Sequence, residues 1–110
     1  MDRTDKFDRI PDDELLTLVQ RNTFNYFWKL GHETSGMARE RNTSQNTVTT
    51  GGTGFGIMAT LVAIERGFIT RQEGLERIAR IAYFLDTQCT KYHGAFSHWI
   101  DGETGDTQPF

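Results

Sequence analysis

The chain has 110 residues, 36% of them hydrophobic, with 12 Lys and Arg against 15 Asp and Glu for a formal net charge of −3, and its mean hydropathy is −0.54. That is one domain at most, able to bury roughly 60–70% of the surface its unfolded form would expose, and with both charge signs interleaved no basic face is available to neutralise phosphates, which excludes nucleic acid as a partner. No apolar run approaches the roughly 20 residues that cross a bilayer, and the opening MDRTDKFDR lacks the apolar core of a signal peptide, so membrane insertion is not expected and no signal peptide is read in these residues.

Residues 1–10 are charged and aperiodic and read as a flexible lead-in, leaving 11–110 as the folded unit. Pro11 suits a helix entry, and Asp12, Asp13 and Glu14 place negative charge where the first-turn amides and the helix dipole favour it. A first helix is predicted from there to about residue 30. Its apolar stripe runs through Leu16, Val19, Thr23, Phe27 and Leu30, widened by Leu15, Phe24, Tyr26 and Trp28, with Gly31 as the stop. Residues 31–52 read as a loop rich in Thr, Ser, Asn and Gly. Loops of that length in a compact domain are usually functional, and this one carries the cluster Arg39-Glu40-Arg41.

A second helix is predicted over 53–66, ending at Gly67. Ile57, Met58, Leu61, Val62, Ile64 and the alanines make it apolar nearly all round, the mark of an inner, buried helix. Thr70-Arg71-Gln72-Glu73 then spells a capping box. The third helix that it opens is expected to turn Leu75, Ile78, Ala79, Ala82 and Leu85 inward and Arg71, Glu76, Arg77, Arg80 and Asp86 outward. An apolar helix joined by a short turn to an amphipathic one is an inner-plus-outer αα-hairpin, and repeating that unit builds an α/α toroid. The last stretch is expected to form a short β-hairpin, residues 96–101 against 107–110, with Gly102 and Gly105 in the turn.

Three groups of residues carry chemistry. The glycine-rich run at 49–56 lies before a helix but misses G-x-G-x-x-G and lacks the Walker lysine, so it reads as small residues that let a helix start approach its neighbours. In Arg39-Glu40-Arg41 two guanidiniums flank a carboxylate, an arrangement that favours the ionised form and suits sugar hydroxyls; the bland alternative is a solvated charge cluster. His98 and Trp99 with Asp101 and Glu103 combine an aromatic platform with carboxylates, as a saccharide cleft does. Glycoside hydrolysis needs two such carboxyl groups, one as acid and one as base or nucleophile. Against this stands the reading of Phe96 and Trp99 as ordinary core residues. The lone Cys89 is taken as a small buried hydrophobe. Nothing in the spacing of Asp and Glu forms a calcium loop, so no metal and no cofactor is assigned.

Four blocks in order carry a resemblance: LLTLVQRNTFNYFW at 15–28, SGMARER at 35–41, TTGGTGFGIMATLVAIERGFITRQEG at 49–74 and HGAFSHWIDGETGDTQPF at 93–110. Together they resemble the N-terminal part of the bacterial glucoamylase-like family, which includes endo-β-1,2-glucanases. The resemblance implies an all-α fold, the N-terminal portion of an (α/α)6 toroid, in a parent that hydrolyses a glucan, β-1,2-glucan above all, and that is periplasmic or secreted. It implies substrate contacts from Arg39, Glu40, Arg41, His98 and Trp99, with Asp101 and Glu103 as candidate acids. Two departures stand out. Ser97 occupies the place of the family's proline, and the family continues past the Pro-Phe pair into an acidic segment expected to hold the main catalytic carboxylates. The toroid cannot close within 110 residues, because about a dozen helices of roughly 11–12 residues each already exceed that length. The expected partners are therefore a glucan and the remainder of the toroid, and the isolated chain is expected to be inactive. The competing expectation is a non-catalytic carbohydrate-binding or interaction module.

Overall fold

The computed structural model describes residues 10–109; the lead-in expected over 1–10 falls, but for Ile10, outside them, as does Phe110. Helix α1 (Asp12–Lys29) starts as its sequence dictates, with Pro11 one position further out, as N-cap, and three carboxylates in the first turn. Its apolar stripe is only half covered. Phe24 is buried, stacked on Trp28 with ring centroids 5.4 Å apart and tilted against Phe68. Leu16 and Val19, expected inside, are more than half exposed, although Arg66 reaches the Thr17 hydroxyl beside them.

Residues 31–52 are not all loop. Strand β1 (Thr47–Thr49) occupies their end, and helix α2 (Thr50–Glu65) begins three residues earlier than the sequence suggested. The cause is Thr49, whose Oγ1 accepts the Gly52 amide at 3.1 Å, so the strand's last residue is also the helix's N-cap. The glycines at 51–56 therefore lie inside the first turns of α2, where small size admits neighbours. A Cβ on Gly56 would lie 3.0 Å from the Phe27 ring, and one on Gly52 3.4 Å from the Ala38 side chain.

Helix α2 is expected to be buried all round, and only Thr53, Thr60 and Ala63 are. Phe55, Met58 and Leu61 stand 70%, 64% and 55% exposed, since α1 and α3 (Arg71–Thr87) cover only part of its circumference. The capping box of α3 forms as read: Glu73 N–H donates to Thr70 Oγ1 at 3.1 Å and Thr70 N–H to Glu73 Oε1 at 3.0 Å. Its buried face differs from the expected one. Gly74, Ile81 and Phe84 face inward, while Leu75, Ala79 and Ala82 are exposed. At Gly74 a Cβ would lie 2.4 Å from Ile64 Cδ1, so the residue without a side chain is the one that meets α2, and the helix turns accordingly.

The core joins Met37 from the loop, Val48 from β1, Ile81 and Phe84 from α3, Cys89, and Ile100 from β4 (Trp99–Asp101). Cys89 is buried as expected, and burial pushes its thiol pKa up. Strands β2 (Lys91–Tyr92) and β3 (Ala95–Phe96) make a tight hairpin whose turn residues, His93 and Gly94, both have positive φ. Strand β4 pairs antiparallel with β1 in the register Thr47↔Asp101, Val48↔Ile100 and Thr49↔Trp99. The turn expected at Gly102 and Gly105 exists, but among the described residues the returning limb closes a single bridge, Ile100↔Thr107, so β4 finds its main partner in β1. Gly105 needs its positive φ of 86°, and a Cβ there would meet the Gln88 carbonyl oxygen.

Candidate functional site

The β1–β4 pair carries its neighbours to one open edge. There a cleft of about 250 Å³ is lined by Glu40, Thr47, Trp99, Gln108 and Pro109. Thr47 comes from the start of β1 and Trp99 from the start of β4. Gln108 is drawn in by its own amide, which donates to the Trp99 carbonyl at 3.0 Å. Glu40 arrives from the loop, its amide donating to Thr47 O at 3.1 Å. Trp99 is half-buried and Glu40 exposed, so a flat apolar face and a carboxylate are presented together to solvent, the combination that accepts a pyranose.

The structure thus brings Glu40 and Trp99 to one cleft and sorts the remaining candidates elsewhere. His98 is exposed and meets the Trp99 ring edge-on, centroids 4.4 Å apart, while its carbonyl accepts the Thr50 amide at the start of α2. Arg41 is exposed in a turn closed by Ser44 and is not among the residues that line the cleft. Arg39 is turned inward. Its Nη1 donates to Leu30 O at 2.8 Å and Gly31 O at 3.3 Å, its Nε to Gln45 O at 3.1 Å, and its Nη2 pairs with Glu33 Oε2 at 2.7 Å. The Glu33 carboxyl is held below its ordinary pKa, by backbone hydrogen bonding first and by Arg39 second.

Asp101 and Glu103 are each held by hydrogen bonds within the fold. Asp101 Oδ1 accepts the amides of Glu103 and Thr104 at 2.8 and 3.0 Å, and its Oδ2 faces Gln108 Nε2 at 3.5 Å. Glu103 Oε2 accepts the Thr34 hydroxyl at 2.6 Å. The same turn is locked from beneath: Gly102 N–H donates to Asn46 O at 2.6 Å, and the buried His32 pairs through Nε2 with Asn46 Oδ1 at 2.9 Å. Among the described residues no group of three or more His, Cys, Asp or Glu is gathered as a metal requires, and no helix is long and apolar enough to cross a membrane.

Sequence reasoning missed Thr47, Gln108 and Pro109 as cleft residues. Gln108 carried a signal, since it lies where a returning hairpin limb faces Trp99; Thr47 carried none, because three residues are too short a strand to read.

No family model matches the chain. A curated relative, the exo β-1,2-glucooligosaccharide sophorohydrolase (non-reducing end) of Parabacteroides distasonis, is 49% identical over 100 residues, which is 90% of this chain and 14% of that protein. Among solved structures, a candidate glucoamylase of Bacteroides uniformis superposes with a TM-score of 0.89 at 52% identity, over 93% of this chain and 25% of that one. The endo-β-1,2-glucanase of Chitinophaga pinensis, solved with sophorotriose and glucose, gives 0.85 at 45% identity, over 92% and 26%. The chain is homologous to a segment of the glucoamylase-like glycoside hydrolases. It spans about one seventh of the curated relative it matches and about a quarter of each solved chain. The three helices among the described residues are a portion of an α/α toroid, and the exposed apolar circumference of α2 is what a portion leaves uncovered. The four sequence blocks converge in space: the second and fourth supply Glu40, Trp99 and Gln108 to the cleft, the third supplies the N-cap that anchors β1 to α2, and the first forms the helix behind them.

Proposed function

We propose that these residues form part of the substrate-binding rim of a glycoside hydrolase acting on β-1,2-linked glucan. The observation that carries the reading is the meeting of Glu40 and Trp99 in one open cleft; the names of the relatives supply the linkage. In this reading the indole of Trp99 takes the apolar face of a glucose ring. The Glu40 carboxylate accepts sugar hydroxyls, and the Gln108 amide, which can both donate and accept, adds a second polar contact. His98, edge-on to the indole, fixes the platform.

Asp101 and Glu103, each already accepting hydrogen bonds within the fold, serve to hold the turn that carries Gln108. The acid and base of the reaction then come from the remainder of the toroid, and the 110 residues alone do not hydrolyse glucan. The parent acts outside the cytoplasm. The exposed apolar faces of α2 weigh against a binding module that stands by itself.

Titration with sophorotriose, followed by Trp99 fluorescence in a Trp28→Phe background, tests the cleft. The expected result is a saturable fluorescence change that Trp99→Ala abolishes and Glu40→Gln weakens about tenfold, the size of one charge-assisted hydrogen bond. Unaltered affinity in the Glu40→Gln variant and in Trp99→Ala, read there by calorimetry, removes the cleft as the site.

A further inference from the structure

Glu40 sits in a loop, yet the backbone that presents it is fixed on both sides. On the strand side, Glu40 N–H donates to Thr47 O at 3.1 Å and Thr49 N–H to Ala38 O at 3.0 Å. On the other side the contacts come from α1. The Tyr26 hydroxyl donates to Arg39 O at 2.8 Å, and the Arg39 guanidinium reaches the Leu30 and Gly31 carbonyls that end the helix. Arg39 also takes Gln45 O from the far limb of its loop and the Glu33 carboxylate. Four acceptors converge on one planar fork, which a lysine cannot match. Neither Tyr26 nor Arg39 lines the cleft.

From this geometry we infer that Tyr26 and Arg39 are positioning residues, which tie the end of α1 to residues 39–40 and so hold the Glu40 carboxylate against Trp99. The inference rests on the saccharide cleft proposed above. It assigns Arg39 a role different from direct sugar contact: the guanidinium works on the fold, and the sugar feels it only through Glu40.

The test is a double-mutant cycle in the whole chain, read as sophorotriose affinity. Tyr26→Phe removes one hydroxyl and is expected to weaken binding about fivefold, the usual worth of a neutral hydrogen bond. Arg39→Lys is expected to weaken it more. In a Glu40→Gln background, adding Tyr26→Phe is expected to change nothing further, because the group being positioned is already gone. Thr70→Ala, which loosens the start of α3 far from the cleft, is expected to leave affinity unaltered and so separates positioning from general loss of stability. Additive losses of Tyr26→Phe and Glu40→Gln, or an unaltered affinity in Tyr26→Phe, overturn the inference while leaving the cleft standing. If Arg39→Lys does not fold, the Tyr26→Phe cycle decides alone. Absence of sophorotriose binding, or indifference to both Glu40→Gln and Trp99→Ala, removes the cleft reading and this inference together.

Discussion

Glu73 closes its capping box by accepting the Thr70 amide, and that backbone hydrogen bond, followed by the Thr70 hydroxyl contact, holds its carboxyl below the ordinary 4.5. A carboxyl whose folded-state pKa is depressed adds stability that is complete above its unfolded pKa and is lost as pH falls through the lower folded value. Thermal melts between pH 7 and pH 3 are therefore expected to show a smaller acid-driven fall in Tm for Glu73→Gln than for the native chain, the two curves converging at the acid end. Parallel curves would mean that the box contributes nothing through the charge. This residue pair was legible in the sequence because a capping box is local: three residues of separation fix both bonds. Gln108 was legible only in part: the expected hairpin limb set it opposite Trp99, but its place in the cleft needs the turn at Gly105 and the hydrogen bond to the Trp99 carbonyl.

Helix α1 ends with carbonyls that have no intrahelical partner, and two guanidiniums from different parts of the chain meet them. Arg39 takes Leu30 and Gly31; Arg77, from α3, donates to Trp28 O at 3.1 Å and Phe27 O at 3.4 Å and lies 4.2 Å over the Trp28 ring. Arg77→Met keeps the aliphatic stem and removes the donors, and is expected to cost about 1.5–3 kcal/mol in urea unfolding. A loss under about 0.5 kcal/mol would place Arg77 among ordinary surface residues. The sequence placed Arg77 outside, and the reason is instructive. Amphipathic patterning assigns charge to solvent, but a long side chain at the edge of the buried face can lie along a neighbouring helix and deliver its head to carbonyls there. The same patterning misjudged Leu75 and Ala79, because the inward position of α3 belongs to Gly74, which hydropathy does not mark.

The whole molecule is lopsided. A compact core joins the β1–β4 pair to α3, and beyond it α2 and the first half of α1 present Leu16, Val19, Phe55, Met58 and Leu61 to solvent. Large apolar side chains left open to water on two helices favour association. At tens of micromolar the 110-residue chain is expected to self-associate and to bind a hydrophobic dye, and Met58→Glu with Leu61→Glu is expected to return it to a monomer in light scattering. A monomer with no dye binding before any substitution would contradict the open face. Here the sequence was informative and incomplete at once. The composition of α2 announced an inner helix, and four ordered blocks announced the chain's relatives, but burial is a property of neighbours, and these residues supply only part of the ring.

Thr49 closes strand β1 opposite Trp99 and caps α2 in the same residue, with no linker between strand and helix. Strand and helix are therefore one rigid lever whose short arm ends at the aromatic platform. A tilt of α2 by whatever packs on its open face would swing that platform in the same stroke, so the apolar side of the molecule and its cleft side are joined by a fulcrum one residue long.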